Sequence, residues 1–377
     1  MSIKIEQFKD KPFRLVFNPN QVVADIATVA ALTKDNLILS VGKKSCHIFA
    51  VDNTGSIAAR TIKTIESEGT GCLTIDREVF SQAVKNRKSD VELTFDGSAM
   101  HIKVLRGKLK AEIKTIPVVA EKVQQVNELL SIALNTEASE MDKVQQDQLW
   151  GTIEHAAITD VMYGAELNRL VESKGGTLTV TSFDNLHMAR CRSKIKGLPE
   201  FRMGLNDTYV GHLRKIMGDS GIKVVMSSSF FLAHSESGLL YMPPRQVQDS
   251  EWTTVNEFLN NKVKYPLTLK TTAGRMLAVL DNLCAVYEQS ASIECAATKG
   301  GLSMKIATSY GSASDLMPCE ELEGKGGFNI EPMTIKNVLE LLPPADIIEL
   351  RVDPGNHYRI SCETVAADYL GSMHASE

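Results

Sequence analysis

The sequence has little of what metal centres and simple nucleic-acid binders are built from. Its seven cysteines form no Cys-x-x-Cys pair, which predicts free thiols in a reducing compartment and no structural zinc. None of the eight histidines lies four residues from another, so no metal and no cofactor is expected. The net charge of −5 lacks a cationic excess, and any DNA contact should therefore be local.

Long apolar runs are also absent. The first residues carry a lysine every few positions, and no uncharged apolar stretch approaches the length of a membrane helix. We therefore expect no signal peptide, no membrane association and a cytoplasmic location. A chain of 377 residues, 43% of them hydrophobic, can form two or three domains with separate cores.

What the sequence does have is a recurring unit. Residues 327–352, GFNIEPMTIKNVLELLPPADIIELRV, predict a short strand, a helix and a second strand after two prolines. The same order recurs at five earlier places, at intervals of about 60 residues. These copies begin at FRLVFNPN, GCLTID, ELLSIAL, FRMGLN and YPLTLK. A chance recurrence remains the alternative, because strand–helix–strand order is common.

Each helix of these units has apolar residues at helical spacing. Asp76 is the predicted N-cap of the second helix. The predicted buried positions are Val22, Val23, Ile26 and Val29 in the first helix, Val79, Phe80, Ala83 and Val84 in the second, Leu149, Ile153 and Ala156 in the third, Tyr209, Val210, Leu213, Ile216 and Met217 in the fourth, and Met276, Leu277, Leu280 and Leu283 in the fifth.

Two such units could bury their helices against one layer of sheet, which predicts an α+β fold of three domains with two units each. Polar segments at residues 118–127 and 255–266 are interpreted as linkers. The predicted domains are therefore residues 1–122, 123–258 and 259–377.

The sequence carries no enzyme motif. Residues 218–221, GDSG, resemble the nucleophile segment of a trypsin-like protease, but they end a predicted helix in a chain without disulfides. The glycine-rich residues 323–328 lead into a strand, so they cannot hold a phosphate at a helix N-terminus. The acidic pairs Glu320–Glu321 and Asp346/Glu349 are assigned to solvent. We expect no catalytic residues.

Three segments resemble one family. They are Leu167–Cys191, Arg106–Pro117, and residues 327–352 together with ADYLGSM near the C-terminus. In order and spacing they are similar to the bacterial β-type DNA polymerase sliding clamp, the DNA polymerase III β subunit family. The resemblance extends over nearly the whole chain. It implies three similar domains, each a doubled strand–helix–strands unit, with helices lining a ring and sheets outside.

The sequence also departs from the family pattern. A Thr-Asp-Gly-His-Arg-Leu run is here Phe183–Met188, and a Phe-Pro-Asp-Tyr-Arg-Arg segment is here DSEWTTV. The final Met-Pro-Met-Arg-Leu becomes GSMHASE. Such drift is typical of a distant or a phage-encoded member, and these alternatives stay open.

The resemblance implies a homodimeric, non-enzymatic processivity factor for DNA replication. It would encircle double-stranded DNA without sequence preference and bind the polymerase and the clamp loader through short peptide motifs. The alternative is a repeat-built, β-rich structural or interaction protein without a ring.

The implied sites fall into three sets. The DNA-facing residues, chosen as cations on the helix copies, are Lys85, Arg87, Lys88, His212, Arg214, Lys215, Arg275 and Lys336. The implied partner-peptide pocket comprises Leu167, Phe183, Asn185, Leu186, His187, Met188, Val255 and Leu370. The implied dimer interface comprises Ala111 and Ile113 against Ala278 and Val279. Ordinary solvated helix faces, for the first set, and core positions, for Leu186 and Met188, are the alternatives.

Overall fold

The structure, a computed structural model, describes residues 12–30, 32, 36–43, 45–107, 110–114, 120–136, 138–156, 168–183, 187–206, 216–217, 222–245, 249–260, 264–289, 291–354 and 356–372. The chain divides into two compact units. Unit 1 comprises residues 1–146 and 208–244, and unit 2 comprises residues 147–207 and 245–377.

Helices and short strands alternate along the described chain. The first half contains β1 (Phe13–Phe17), α1 (Pro19–Val29), β2 (Asn36–Val41), β3 (Cys46–Val51), β4 (Ile57–Ile62), β5 (Thr64–Glu68), β6 (Gly71–Asp76), α2 (Arg77–Val84), β7 (Val91–Phe95), β8 (Ala99–Val104), β9 (Lys110–Lys114), α3 (Ala120–Asn135), β10 (Ser139–Met141), α4 (Lys143–His155), β11 (Asn168–Lys174), β12 (Thr177–Phe183) and β13 (His187–Lys194).

The second half continues in the same way. It contains β14 (Phe201–Asn206), β15 (Ile222–Met226), β16 (Phe231–His234), β17 (Gly238–Met242), α5 (Asp249–Asn260), β18 (Leu267–Thr272), α6 (Ala273–Leu283) with a 3₁₀ turn (Cys284–Val286), β19 (Ile293–Thr298), β20 (Gly301–Thr308), β21 (Gly311–Met317), β22 (Glu321–Gly324), β23 (Gly327–Ile330), α7 (Pro332–Glu340), β24 (Ile347–Asp353), β25 (His357–Cys362) and β26 (Ala367–Ser372).

Each unit contains one small and one large antiparallel sheet. In unit 1 the strand orders are β5-β1-β7-β8-β9 and β10-β15-β16-β17-β4-β3-β2-β6. In unit 2 they are β21-β20-β19-β23 and β14-β11-β12-β13-β26-β25-β24-β18-β22. The large sheets join strands that are distant in sequence, through the pairs β17–β4 in unit 1 and β13–β26 in unit 2.

Polar side chains explain where three helices begin. Asn18 accepts hydrogen bonds from two backbone N–H groups of the first turn of α1, and Pro19 follows it. Asp76 accepts from Val79 N at 2.9 Å, which confirms the predicted N-cap of α2. Glu331 caps α7 in the same way. The strand–helix–strand order predicted for residues 327–352 is confirmed as β23, α7 and β24.

The predicted apolar faces are confirmed in most helices. Buried members of these faces are Val22, Ile26 and Val29 in α1, Phe80 and Val84 in α2, Leu149, Ile153 and Ala156 at α4, and Met276, Leu280 and Leu283 in α6, with Ile216 and Met217 also buried. The prediction for Val79 was wrong, because this side chain is 47% exposed on the short helix α2. Tyr209, Val210 and Leu213 lie outside the described residues.

The strand predicted at ELLSIAL was wrong, because these residues form the second half of α3. Val126 and Leu130 of α3 pack in one cluster with Ile57 and Ala59 of β4. Arg60, next along β4, instead bonds Asp25 of α1. Since successive strand residues point to opposite faces, α1 and α3 cover opposite faces of the eight-stranded sheet.

Unit 2 repeats this arrangement with α4 and α5. Tyr369 of β26 donates a hydrogen bond to the His155 carbonyl at the end of α4. Arg190 of β13 bonds Asn256 of α5, and Arg190 lies opposite Asp368, the neighbour of Tyr369 on β26. These contacts place α4 and α5 on opposite faces of the nine-stranded sheet. The segments interpreted as linkers thus contribute to α3 and α5.

Two pairs of helices lie side by side, α1 with α2 and α6 with α7. In the second pair, Lys336 Nζ lies 2.6 Å from Asp281 Oδ1. The predicted free thiols are confirmed, since all seven cysteines are unpaired.

The buried His47 gives unit 1 a sensitivity to acid. It lies on β3, beside Thr61 Oγ1 at 3.2 Å, and burial lowers its pKa from 6.5 to about 4. A lowered pKa disfavours the protonated form in the folded state. The contribution of the neutral His47 to the free energy of unfolding is therefore complete above pH 6.5 and is lost as the pH falls towards 4.

We expect His47→Gln to flatten the loss of stability between pH 7 and pH 4 by about 3 kcal/mol. The free energy of urea unfolding, measured across this range, checks the prediction. His357→Gln, which replaces a partly exposed histidine on β25 of unit 2, is the control for the substitution itself. An unchanged profile for His47→Gln would assign the acid sensitivity to other groups.

Candidate functional site

An apolar row crosses three adjacent strands of unit 2. The strand register places Phe183 of β12 opposite Met188 of β13, and Met188 opposite Leu370 of β26. All three side chains are partly exposed, and directly paired residues share one face of a sheet. The structure thus brings together three members of the implied pocket, and Met188 is not a core residue.

The other members of that set are distributed differently. His187 precedes Met188 on β13 and therefore points to the opposite face. Val255 is buried on α5. Leu167, Asn185 and Leu186 lie outside the described residues.

A buried arginine lies next to the apolar row. Arg190 is two residues from Met188 on the same face of β13 and is 3% exposed. Its guanidinium donates to Asn256 Oδ1 at 2.7 Å and to Asn260 Oδ1 at 3.3 Å on α5, and to Thr181 Oγ1 at 3.3 Å. Burial lowers the pKa of Arg190 to about 10. The sequence did not mark this contact, because the segment of α5 was interpreted as a linker.

The carboxylate opposite Arg190 has other partners. Asp368 lies 3.1 Å from Arg359 Nη2 and accepts a hydrogen bond from Ser361 Oγ at 2.8 Å. Among the described residues, Arg190 forms no ion pair within 4 Å. It is a buried cation with neutral hydrogen-bond partners.

The implied DNA-facing residues occupy three kinds of environment. Lys85 and Lys88, at the C-terminal end of α2, are exposed and make no ion pair with a described residue. Arg87 donates to the Ala83 carbonyl at 3.0 Å, so it caps the same helix end. Arg275 lies 3.5 Å from Glu320, and Lys336 pairs with Asp281. His212, Arg214 and Lys215 lie outside the described residues.

β9 and β21 are two of the eight strands that end a sheet in the described part of the chain. β9 ends the five-stranded sheet of unit 1, and β21 ends the four-stranded sheet of unit 2. Such edges carry backbone N–H and C=O groups that can pair with another strand. Leu316 of β21 adds a side chain that is 47% exposed.

The implied dimer residues lie at or near these edges. Ala111 is partly exposed on β9 and Ala278 is exposed on α6, which packs against β21. Ile113 is 6% exposed and Val279 is buried within their own units. The alanines are therefore the members that a second chain can reach.

The sequence motifs set aside as non-catalytic have structural partners where they are described. Glu320, Glu321 and Glu349 form ion pairs with Arg275, Lys270 and Arg351. The glycine-rich segment joins β22 to β23 and leads into a strand, as predicted. Residues 218–221 lie outside the described residues.

The described ranges hold no candidate metal centre. They contain no group of three His, Cys, Asp or Glu side chains arranged to hold a metal ion. Their helices include none with the length and apolar character needed to cross a membrane.

Comparison with known proteins gives one kind of match. No protein-family model matches the sequence, and no curated protein matches it. Solved structures match over nearly the whole chain. The DNA polymerase sliding clamp of Bacillus subtilis is 12% identical, with 97% of this chain and 100% of that chain covered and a TM-score of 0.77.

Two further structures agree with that match. The DNA polymerase III β subunit of Borrelia burgdorferi, solved in complex with a natural product, is 13% identical with a TM-score of 0.77. The β subunit of Thermotoga maritima is 14% identical with a TM-score of 0.75. Each covers 97% of this chain and is itself covered to 100%. The chain therefore has the α+β fold of the sliding clamps. In particular, its fold is similar to that of the bacterial DNA polymerase III β subunits, which confirms the resemblance predicted from the sequence.

Proposed function

We propose that the protein is a sliding clamp: a homodimeric, non-enzymatic processivity factor that encircles duplex DNA and tethers a polymerase to it. The observation that carries the proposal is the match of nearly the whole chain to clamp structures. The division into domains 1–122, 123–258 and 259–377 belongs to the proposal, as do cytoplasmic location and recruitment of a clamp loader.

Ring closure is supported by the two sheet edges. A β9 edge from one copy and a β21 edge from another could join the five-stranded and four-stranded sheets into one of nine strands. The large sheet of unit 2 already has nine strands, and that of unit 1 has eight. Two copies arranged head to tail would form two identical junctions, which is a closed cyclic assembly. Pairing of exposed strand edges is a general mode of association.

Encirclement accounts for the acidic composition. A closed ring retains DNA topologically, so it needs only weak phosphate contacts that can be remade as it slides. Nonspecific contacts with a Kd of about 10⁻⁴ to 10⁻⁶ M are sufficient. In the described part of the implied set, Lys85 and Lys88 are exposed cations without an ion pair to a described residue, and they support such contacts.

The test compares retention on circular and linear DNA. We expect the protein, loaded on nicked circular duplex, to remain bound through gel filtration and to be released when the DNA is linearised. Particle images should show a ring of two chains. A monomer, or equal retention on both templates, would favour the β-rich interaction protein without a ring.

Lys85→Ala/Lys88→Ala should weaken DNA binding without changing sequence preference. Removing two phosphate contacts should reduce the slope of log affinity against log salt concentration by about 2. Binding measured across a salt series checks this. Lys174→Ala/Lys194→Ala, which removes two exposed lysines from the strands of unit 2, is the control with the same charge change. Equal effects of both variants would place the DNA contact elsewhere.

We assign the docking of partner peptides to the row Phe183–Met188–Leu370. Apolar anchors usually carry most of the energy of such contacts, and the flexible Met188 can repack around different ligands.

Met188→Asp should abolish capture of a polymerase C-terminal peptide, because it places a carboxylate in the row. Since Met188 is partly exposed, the melting temperature should stay near the wild-type value. Fluorescence anisotropy and thermal unfolding measure the two effects. Thr179→Asp, on the same face of β12 but farther along the strand, is the control. Intact peptide binding by Met188→Asp would move the docking surface elsewhere.

A further inference from the structure

The contact between Arg190 and α5 is energetically unusual. Arg190 is 3% exposed, and its described hydrogen-bond partners are the neutral side chains of Thr181, Asn256 and Asn260. A buried cation is best compensated by a carboxylate, because an ion pair adds attraction between opposite charges to the hydrogen bond. The site therefore holds a positive charge that an anion would stabilise further.

Among the described residues no carboxylate lies within ion-pair distance of Arg190, and Asp368 and Glu172 attract it only from farther away. Asp368 lies opposite Arg190 on β26, but Arg359 and Ser361 already bind its carboxylate. The hydrogen bonds described between α5 and Arg190 are accepted by two asparagines, four residues apart on one side of the helix. Apolar burial of Val255 adds to them.

The charge lies beside the proposed docking row. Arg190 and Met188 are on the same face of β13, two residues apart, which corresponds to about 6.6 Å along a strand. α5 covers Arg190 and leaves Phe183, Met188 and Leu370 partly exposed. An extended peptide anchored on the row would need to extend only two residues to meet α5.

We infer that α5 is a displaceable strap over a latent carboxylate site. A docking peptide with an aspartate or glutamate near its apolar anchor would take the place of Asn256 and Asn260 on Arg190. Without such a peptide, the buried Val255 and the two hydrogen bonds keep the strap closed. The inference rests on the proposed docking function and names its partner chemistry, an acidic and apolar peptide.

The probe is a set of fluorescein-labelled, C-terminally amidated peptides that end in two leucines. An aspartate stands at one of the four positions before the leucines, and each peptide has an asparagine counterpart. Binding is measured by fluorescence anisotropy. At one position, the aspartate peptide should bind the wild-type protein about tenfold more tightly than its counterpart, as a hydrogen bond to a charged group predicts.

Different substitutions test the role of the Arg190 charge and the role of α5 as a strap. Arg190→Gln should remove the preference for aspartate, whereas Arg192→Gln, the exposed arginine next on the same face, should keep it. Asn256→Ala/Asn260→Ala should tighten binding of the aspartate peptide about tenfold, because the two hydrogen bonds from Arg190 no longer hold the strap. Asn256→Asp should weaken that binding and raise the melting temperature, since it gives Arg190 an internal carboxylate.

The outcomes distinguish this inference from the proposed function. Equal binding of both peptides, unchanged in Arg190→Gln and lost in Met188→Asp, would overturn the strap and leave the docking row intact. Binding of neither peptide, even to Asn256→Ala/Asn260→Ala, would overturn both the strap and the docking row, while retention on circular DNA would still support the clamp. If Arg190→Gln does not fold, opposite effects of Asn256→Ala and Asn256→Asp decide the question.

Discussion

Asp25→Ala should destabilise unit 1 by about 3 to 5 kcal/mol, the cost of leaving one partner of a buried ion pair without the other. Asp25 of α1 is 3% exposed, and its Oδ1 lies 3.0 Å from Arg60 Nε on β4. Arg60 Nη1 also donates to the Ile216 carbonyl at 2.7 Å. Removing the carboxylate leaves a guanidinium that is only 17% exposed and keeps the Ile216 carbonyl as a described partner. Urea unfolding at neutral pH measures the loss.

The double variant Asp25→Leu/Arg60→Met is the matched control. Replacing both charges with apolar side chains of similar size should recover most of the stability, since buried ion pairs gain little over good apolar packing. Equal destabilisation by the single and double variants would show that packing volume, and not the unpaired charge, is the cause. Arg14, an arginine of unit 1 with partly exposed ion pairs to Glu66 and Glu92, should tolerate replacement by methionine much better.

Local structure could be predicted where one short segment determines it. Asn18 and Asp76 occupy N-cap positions because their side chains satisfy free N–H groups within three residues. Val22, Ile26 and Val29 repeat at helical spacing, so the face of α1 follows from its period. Val79 broke this rule because α2 has only eight residues and buries a narrow face.

Helices α3 and α5 were missed for a different reason. ELLSIAL is a short apolar run, and such runs fit a strand as well as a helix. The signal that identifies a helix here is the spacing of Val123, Val126 and Leu130. This spacing begins within residues 118–127, which were interpreted as a linker because they are polar. For α5, the fastening residues Asn256 and Asn260 are polar, and the partner Arg190 is distant in the sequence. No local pattern reveals that contact.

The apolar row shows the same limit. Phe183 and Met188 are neighbours through a hairpin, and a hairpin pattern can suggest that pairing. Met188 meets Leu370 across the pair β13–β26, which joins segments far apart in the chain. From the sequence, only the resemblance to a known family predicts that Phe183, Met188 and Leu370 lie together. That resemblance does not predict that α5 lies beside them.

Ala111→Asp/Ala278→Asp should convert the proposed ring into monomers and abolish retention on nicked circular DNA. Ala111 lies on the edge strand β9 and Ala278 on α6 beside β21, and neither side chain is buried in its own unit. In the proposed junction, both carboxylates would lose water without gaining a cation. That penalty is several kcal/mol, so we expect the Kd of dimerisation to rise by about 100-fold or more. Light scattering coupled to gel filtration measures the mass.

The choice of alanines keeps association separate from folding. Ile113→Asp would place a charge at a side chain that is 6% exposed within its own sheet, and loss of the dimer could then follow from unfolding. Ala296→Asp, on an exposed position of β19 in the same small sheet as β21, introduces the same charge away from the edge and should leave the dimer intact. If Ala111→Asp/Ala278→Asp melts at the wild-type temperature and remains dimeric at micromolar concentration, the junction does not use these two edges. The variant is instead expected to be a folded monomer that still binds linear DNA weakly but is not retained on circular DNA. That result would show that retention comes from closure of the ring and not from affinity for phosphates.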